Sequence, residues 1–367
     1  MKRITIFLLS LVVLFGSPPL TKGQEKQSSE LYVVIVNDRR GYIDRTGKIV
    51  IKPQFDGATD FSEGLAVVAV SVGGYKEGYI DETGELVIQP QFDKATAFSE
   101  GLALVGIGEF GLHGGGDHKW GYIDKTGKMI IEPRYENAYG FSDGLAAIQN
   151  DDEKWGFIDK TGQIVITPQF NFVSSFSEGL ACVMSNGKFG FIDKSGRVVI
   201  QPQFTSPGSL SEGLALVRVG GKTIDPAPYT VIVGPLGGRY VYIDRTGKAV
   251  IELSENVENA HPFSEGLASV EIEGKWGFID KTGKMVIEPK FGGQPDFSEG
   301  LAFVILLDGK GGIGFIDKTG AVVIKPKYAL ANNFRDGLAF VYDSLDLPNA
   351  KYGYIDKTGK VVWKPSK

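Results

Sequence analysis

The sequence predicts an all-β repeat protein, a row of three-stranded antiparallel meander units instead of a set of separate domains. Three observations predict it. A string that begins GYIDRTGKIVIKPQF at Gly41 recurs from Gly78, Gly121, Gly156, Gly190, Val241, Gly277, Gly314 and Gly353. A second string, FSEGLA, recurs around Gly64, Gly101, Gly144, Gly179, Gly213, Gly266, Gly300 and Gly337. Glycine supplies 50 of the 367 residues, well above the usual share of roughly 7%, and it falls at fixed places in these strings, which marks turns. Repetition of this kind overrides length as a guide to domain number.

The N-terminus precedes the repeats. Lys2 and Arg3 stand before an apolar run from Ile4 to Phe15, which Gly16, Ser17, Pro18 and Pro19 break. A bilayer-spanning helix needs roughly 20 apolar residues. The shorter run fits a signal peptide, with an uncleaved anchor as the alternative. Thr21 and Gly23, small and closely spaced, put cleavage before Gln24, and no cysteine lies there for a lipid anchor. The expected organisation is therefore a signal peptide over 1–23, a short linker over 24–30 and a repeat array over 31–367. Residues 1–23 hold Lys2, Arg3 and Lys22 and no acid, so their removal shifts the net charge from −5 to −8. A mildly acidic chain is a poor nucleic-acid binder, because phosphate contact needs clustered Lys and Arg.

Each unit reads as three strands. Asp-x-Thr-Gly between two apolar runs matches a hairpin with a type I turn and a left-handed bulge residue. Asp bonds a backbone N–H two residues on, and Gly takes the positive φ. The turn aspartates are Asp44, Asp81, Asp124, Asp159, Asp193, Asp244, Asp280, Asp317 and Asp356, and Ser195 replaces Thr once. Upstream lies an aromatic strand such as Lys154-Trp155-Gly156-Phe157-Ile158, and downstream a β-branched one such as Gln163-Ile164-Val165-Ile166. Proline ends the second strand (Pro168) in every copy except that of Leu253. After an irregular loop bracketed by two aromatics, Phe170 and Phe176, Ser177-Glu178-Gly179 turns the chain into a third strand, Leu180 to Val183. Leu31 to Val36 opens the first unit and Lys360 to Trp363 closes the last.

One such unit is too small to hold itself together, so neighbours must stack. Two arrangements satisfy this, an open solenoid-like array and a closed β-propeller-like ring. Nine copies exceed the usual count of about four to eight blades, and no strand is left over to latch the first blade to the last. The open array is the expectation, and the ring is its alternative.

The repeat resembles the WG-repeat (KWG-repeat) family of bacterial proteins. The resemblance rests on Lys119-Trp120-Gly121, Lys154-Trp155-Gly156 and Lys275-Trp276-Gly277, each running into Tyr/Phe-Ile-Asp-Lys-Thr-Gly. It covers nearly all of the chain after residue 30. Phe189, Tyr240 and Tyr352 fill the Trp column elsewhere, and Val241 replaces the glycine in the sixth copy. The resemblance implies a structural or interaction role and transfers no catalytic residue.

The side chains that invite chemistry have plainer readings. The repeated acids, Asp159 and Glu178 with their equivalents, suggest calcium, but their spacing fits no EF-hand loop and turn capping accounts for the aspartates. Trp120, Trp155 and Trp276 are candidate ligand-contacting aromatics, set against core packing. His113, Asp117 and His118 fall in a glycine-rich insertion, where a flexible loop is preferred to a metal site. Cys182, the only cysteine, occupies a column of Val and Leu and reads as a buried apolar side chain. No Ser has a convincing His and Asp partner. Successive turn aspartates are 37, 43, 35, 34, 51, 36, 37 and 39 residues apart. The long intervals direct attention to residues 106–118 and 218–262, the latter with Pro226, Pro228 and Tyr229–Val233.

The expected function is that of an exported, periplasmic or secreted, non-enzymatic scaffold that binds a protein or envelope polymer. It needs no cofactor or metal, and no membrane span remains after signal cleavage. The alternatives are a purely structural envelope protein and a hydrolase built on the loop insertions.

Overall fold

The structure is a computed structural model that describes residues 31–71, 74–108, 118–223, 237–307, 311–346 and 350–364. The expected signal peptide, the linker, His113, Asp117, Pro226, Pro228 and Tyr229–Val233 lie outside the described residues. Every described element of regular structure is a strand.

The first unit consists of β1 (Tyr32–Val36), β2 (Arg39–Ile43) and β3 (Ile49–Phe55), paired in that order. The second adds a short leading strand: β4 (Gly57–Ala58), β5 (Leu65–Val70), β6 (Lys76–Asp81) and β7 (Leu86–Phe92). The later units repeat this antiparallel four-strand pattern, and in one place the strand Met285–Gly292 serves two successive units and fuses them into a single sheet. The expected three-stranded meander is thus present, with a fourth short strand inside what reads as an irregular loop. Two residues are too few to show period-2 alternation in sequence.

The Asp-x-Thr-Gly turn forms as expected. Asp44 Oδ1 accepts from Thr46 N (2.8 Å), Thr46 Oγ1 (2.6 Å) and Lys48 N (3.1 Å). Gly47 has φ +87° and donates to Asp44 O at 3.0 Å. Those bonds hold the carboxyl of Asp44 below its usual range, the Thr46 hydroxyl most of all. In the copy with Ser195, that hydroxyl and the Arg197 guanidinium take Asp193 down to about 2.

The Lys-Trp-Gly string has a geometric cause. Lys76 bonds Asp93 on the link to the next unit, and Lys119 pairs with Glu136 at the same place one unit on. Glycine is required by the strand opposite. Trp155 faces Phe170 and Phe157 faces Ile166, so a bulge lies between. A Cβ on Gly156 would stand 2.4 Å from Ile166 O and 2.6 Å from Pro168 N. The sixth copy has neither feature. Val241 faces Glu252 and Tyr242 faces Ile251 without a shift, with Leu253 in place of the proline. Glycine and proline are lost together because both serve one bulge.

The core lies between the units. Each apolar cluster joins the faces of two neighbours, as where Tyr42, Ile51 and Phe55 of the first meet Phe61, Ala66, Val68 and Ile80 of the second. Nine units in an open row share eight junctions. Here a ninth cluster joins Tyr32, Val34 and Ile43 to Leu338, Tyr354 and Trp363. The repeat array therefore meets its own beginning, and of the two arrangements weighed from sequence the ring describes it. Among the described residues no spare strand makes the closure; side chains do.

Candidate functional site

In an antiparallel four-strand unit, the first and third hairpin turns lie at one end and the middle connection at the other. The ring accordingly has two unlike faces. The first carries the Ser-Glu-Gly and Asp-x-Thr-Gly turns, and its residues join blade to blade. Ser62 and Leu65 close a two-residue hairpin (2.8 and 3.2 Å) whose corners, Glu63 (φ 55°) and Gly64 (φ 87°), are both left-handed. Such turns prefer Asn, Asp or Gly at the first corner, so glutamate there has another purpose. The Glu63 carboxylate accepts from Glu100 N (2.7 Å) and Gly101 N (3.0 Å) of the next blade, and Lys125 Nζ lies 3.3 Å from it.

The pattern repeats around the face. Lys160 pairs with Glu100 at 3.2 Å, Lys281 with Glu212 at 3.1 Å, and Lys357 with Glu299 at 3.0 Å. The recurrent acids, including Glu178, which accepts from Gly213 N at 3.0 Å, are joints between blades. The sequence carried a signal for this that its turn reading missed. The second residue of Asp-x-Thr-Gly is basic in eight copies, and the exception is Glu82. Glu82 belongs to the second blade, and the first blade has no described Ser-Glu-Gly turn to receive a cation. A groove of ≈ 860 Å³ on this face, among Arg45, Glu299, Asp336 and Lys357, is such a joint between the ninth and first blades. Its charged walls already bond one another, as in Arg45 Nη2 to Asp336 O at 2.7 Å.

The opposite face holds nearly all the variation. From turn aspartate to turn glycine the chain runs 20 residues in seven of eight copies, as from Asp44 to Gly64, and 22 from Asp244 to Gly266. From that glycine to the next aspartate it runs from 14 residues (Gly179 to Asp193) to 31 (Gly213 to Asp244). Both irregular stretches are therefore middle connections. Gly108 pairs with His118, and Val219 with Arg239, at the mouths of the two insertions. At or near the loop mouths of this face, Tyr75, Ile107, Val219, Leu307 and Leu345 are exposed apolar side chains.

The tryptophans sit between blades. Trp276 is 3% exposed, its ring 4.8 Å from that of His261, and Trp155 is 9% exposed and 4.8 Å from Tyr139. Trp120 is half-buried and lies edge-on to His118 at 6.1 Å. All three pack against interblade apolar clusters or aromatic neighbours. Cys182 is fully buried, and burial pushes its thiol up to about 12.

One constellation was not legible in sequence. His261 Nδ1 lies 3.0 Å from Asp296 Oδ1 and 3.1 Å from Ser269 Oγ, and Ser269 Oγ is 3.3 Å from the same carboxylate. These are the three residue types of a hydrolytic triad in another geometry. A triad puts Ser and Asp on opposite ring nitrogens; here both meet at Nδ1. Ser269 is 1% exposed, out of reach of a substrate. The cluster ties the seventh blade to the eighth.

Eight stretches, residues 41–71, 78–109, 120–153, 155–189, 189–222, 242–276, 276–310 and 313–342, match the model of a family described as WG containing repeat. No curated protein matches the chain in sequence. Among solved structures it is similar to a crystal structure of "the eukaryotic initiation factor", with 12% identity over 92% of this chain and 96% of that one, at a TM-score of 0.61. That likeness concerns the fold. BamB from Moraxella catarrhalis aligns over 81% of this chain and 96% of its own, at 13% identity and a TM-score of 0.41. The WD40 beta propeller domain of Doa1 aligns over 68% and 90%, at 9% identity and a TM-score of 0.30.

Proposed function

From the premise that this chain belongs to the WG-containing-repeat family, we propose that it is an exported, non-enzymatic binding scaffold. It presents the loop-bearing face of its ring to a protein or envelope polymer. One observation carries the reading: nearly all length variation is confined to the connections of one face, while the turns of the other are used up in joining blades. Loops on a rigid scaffold are where recognition concentrates. Lys2, Arg3 and the short apolar run after them support export. The Nδ1-centred His261 cluster and the buried Cys182 offer no nucleophile to a hydrolase.

The test uses residues 24–367 and two variants in which 109–117 or 220–238 is replaced by a short Gly-Ser turn. Immobilised protein is exposed to envelope extract, and soluble protein is sedimented with peptidoglycan. Retention that is lost on shortening either insertion is the expected result. Absence of any retention, or retention indifferent to both replacements, would overturn the reading.

A further inference from the structure

The inner strands of the ring bond one another directly, and the circuit they form is one member short. In seven of the eight described Ser-Glu-Gly-type turns the first residue is serine. Its hydroxyl donates to the carbonyl that precedes the same turn in the next blade. Ser62 Oγ bonds Phe98 O at 2.8 Å, Ser177 Oγ bonds Leu210 O at 2.9 Å, and Ser298 Oγ bonds Phe334 O at 2.7 Å. The eighth turn has Arg335. Its guanidinium donates to Phe61 O at 3.4 Å and pairs with the Asp60 carboxylate, both in the second blade. The contact runs from the ninth blade to the second and passes over the first, whose described strands are only β1, β2 and β3. A serine hydroxyl one bond from Cβ has no such reach; arginine has.

The carbonyls left bare at the inner edge of β1 are met by side chains. In the second blade, Val67 O accepts from Thr59 N and Ala69 O from Asp56 N, at 3.0 and 2.9 Å. In the first, the equivalent Val33 O accepts from Tyr354 Oη at 2.8 Å and Ile35 O from Tyr352 Oη at 2.5 Å. The aromatic pairing at this junction is rearranged to match. At seven of the other eight junctions the ring of the third strand packs on the Phe of the next blade's turn, as Tyr79 does on Phe98 at 4.9 Å, and at the eighth that Phe is Leu210. Here Tyr354 packs on Tyr32 at 5.5 Å, and Tyr32 occupies a column that is alanine in the other copies. Burial pushes the Tyr354 hydroxyl up, so it remains a donor across the physiological range.

We infer that the ring is closed by a side-chain clasp, Arg335 with Tyr32, Tyr352 and Tyr354, built in place of an inner strand, and that this junction is where the ring opens. At the other junctions the backbone runs from one blade to the next, through one residue at Asp56, so separation there strains the chain. Among the described residues no backbone crosses the clasp and no strand is shared, so opening there needs only the loss of side-chain contacts. Local opening follows the lowest such cost. It would uncover the apolar faces of Tyr32, Val34, Leu338 and Trp363.

Hydrogen exchange of residues 24–367 reads this directly. Arg335→Ser installs the residue of the other seven turns, and loss of a charge-assisted bond corresponds to exchange faster by on the order of tenfold. The acceleration is expected in 32–43 and 338–363 and not in 137–204. Arg335→Lys keeps the charge near Asp60 and falls between. If Arg335→Ser yields no folded protein, Tyr352→Phe with Tyr354→Phe keeps the rings and removes only the hydroxyls, with the same localised result expected. Ser177→Ala, a control in the same circuit, accelerates exchange at its own junction alone. Exchange unchanged by the clasp variants, or raised evenly around the ring, overturns the inference.

Discussion

Alanine at Gly156 is the sharpest test of the repeat's geometry. The added Cβ would lie 2.4 Å from Ile166 O and 2.6 Å from Pro168 N. Both are backbone atoms of the paired strand, so neither can swing aside as a side chain would. The cost belongs at the upper end for overpacking, about 3 kcal/mol. Gly140 has open space around its Cβ position and an ordinary φ, so Gly140→Ala is expected within about 0.5–1 kcal/mol of neutral, on the stabilising side. The protein itself supplies the rescue. Val241 stands in the glycine column where Leu253 has replaced proline and the bulge is gone. Gly156→Val with Pro168→Leu should therefore be more stable than the sum of the single variants, by about 1–2 kcal/mol of coupling. Urea unfolding followed by tryptophan fluorescence compares the five variants with the unsubstituted protein. A cost for Gly156→Ala below about 1 kcal/mol, or additivity within about 0.5 kcal/mol in the pair, would refute the account of the bulge.

Three further outcomes are expected. The turn aspartates have folded pKa values below their unfolded ones, Asp193 moving from 3.8 to about 2. Their contribution is therefore complete above pH 4 and is lost as pH falls from about 4 towards 2; stability already declining at pH 6 would point to other groups. Cys182, fully buried with its thiol pushed up to about 12, is expected to resist maleimide until urea unfolds the ring, and stoichiometric native labelling would contradict that burial. Glu212→Ala removes the bonds to Gly266 N and Lys281 while keeping a non-glycine residue at φ 54°, at a cost of about 1–2 kcal/mol. Glu212→Gly relieves the backbone and should cost less; no cost for Glu212→Ala would show that the carboxylate is no joint, and a greater cost for Gly that φ 54° carries no strain.

Much of the fold was legible because its determinants are local. The hairpin turn needs Asp, Thr and Gly within four residues, and each bond it makes closes inside five. The paired loss of glycine and proline in the sixth copy was visible as two substitutions, but its meaning needed the register. The fourth strand was hidden by its two-residue length. The tryptophan column stands out in the sequence, and its position between blades comes from packing that no single unit contains. The His261 cluster joins residues of two blades, 8 and 35 residues apart, at spacings that match no motif.

By itself, the sequence determined most of the unit: its length, its turns, its three longer strands, and the places where the middle connections lengthen. Those follow from backbone preferences and apolar pattern read within a few residues. Tertiary structure alone decided that the row closes into a ring, that the glutamates of the turns are joints, and that the mouths of the two long insertions share a face. Closure rests on Tyr32, Arg335, Tyr352 and Tyr354, which meet partners about 275 to 320 residues away. Nothing beside them in the chain announces such a contact, because a side chain's reach becomes an interaction only after the intervening blades have set the distance.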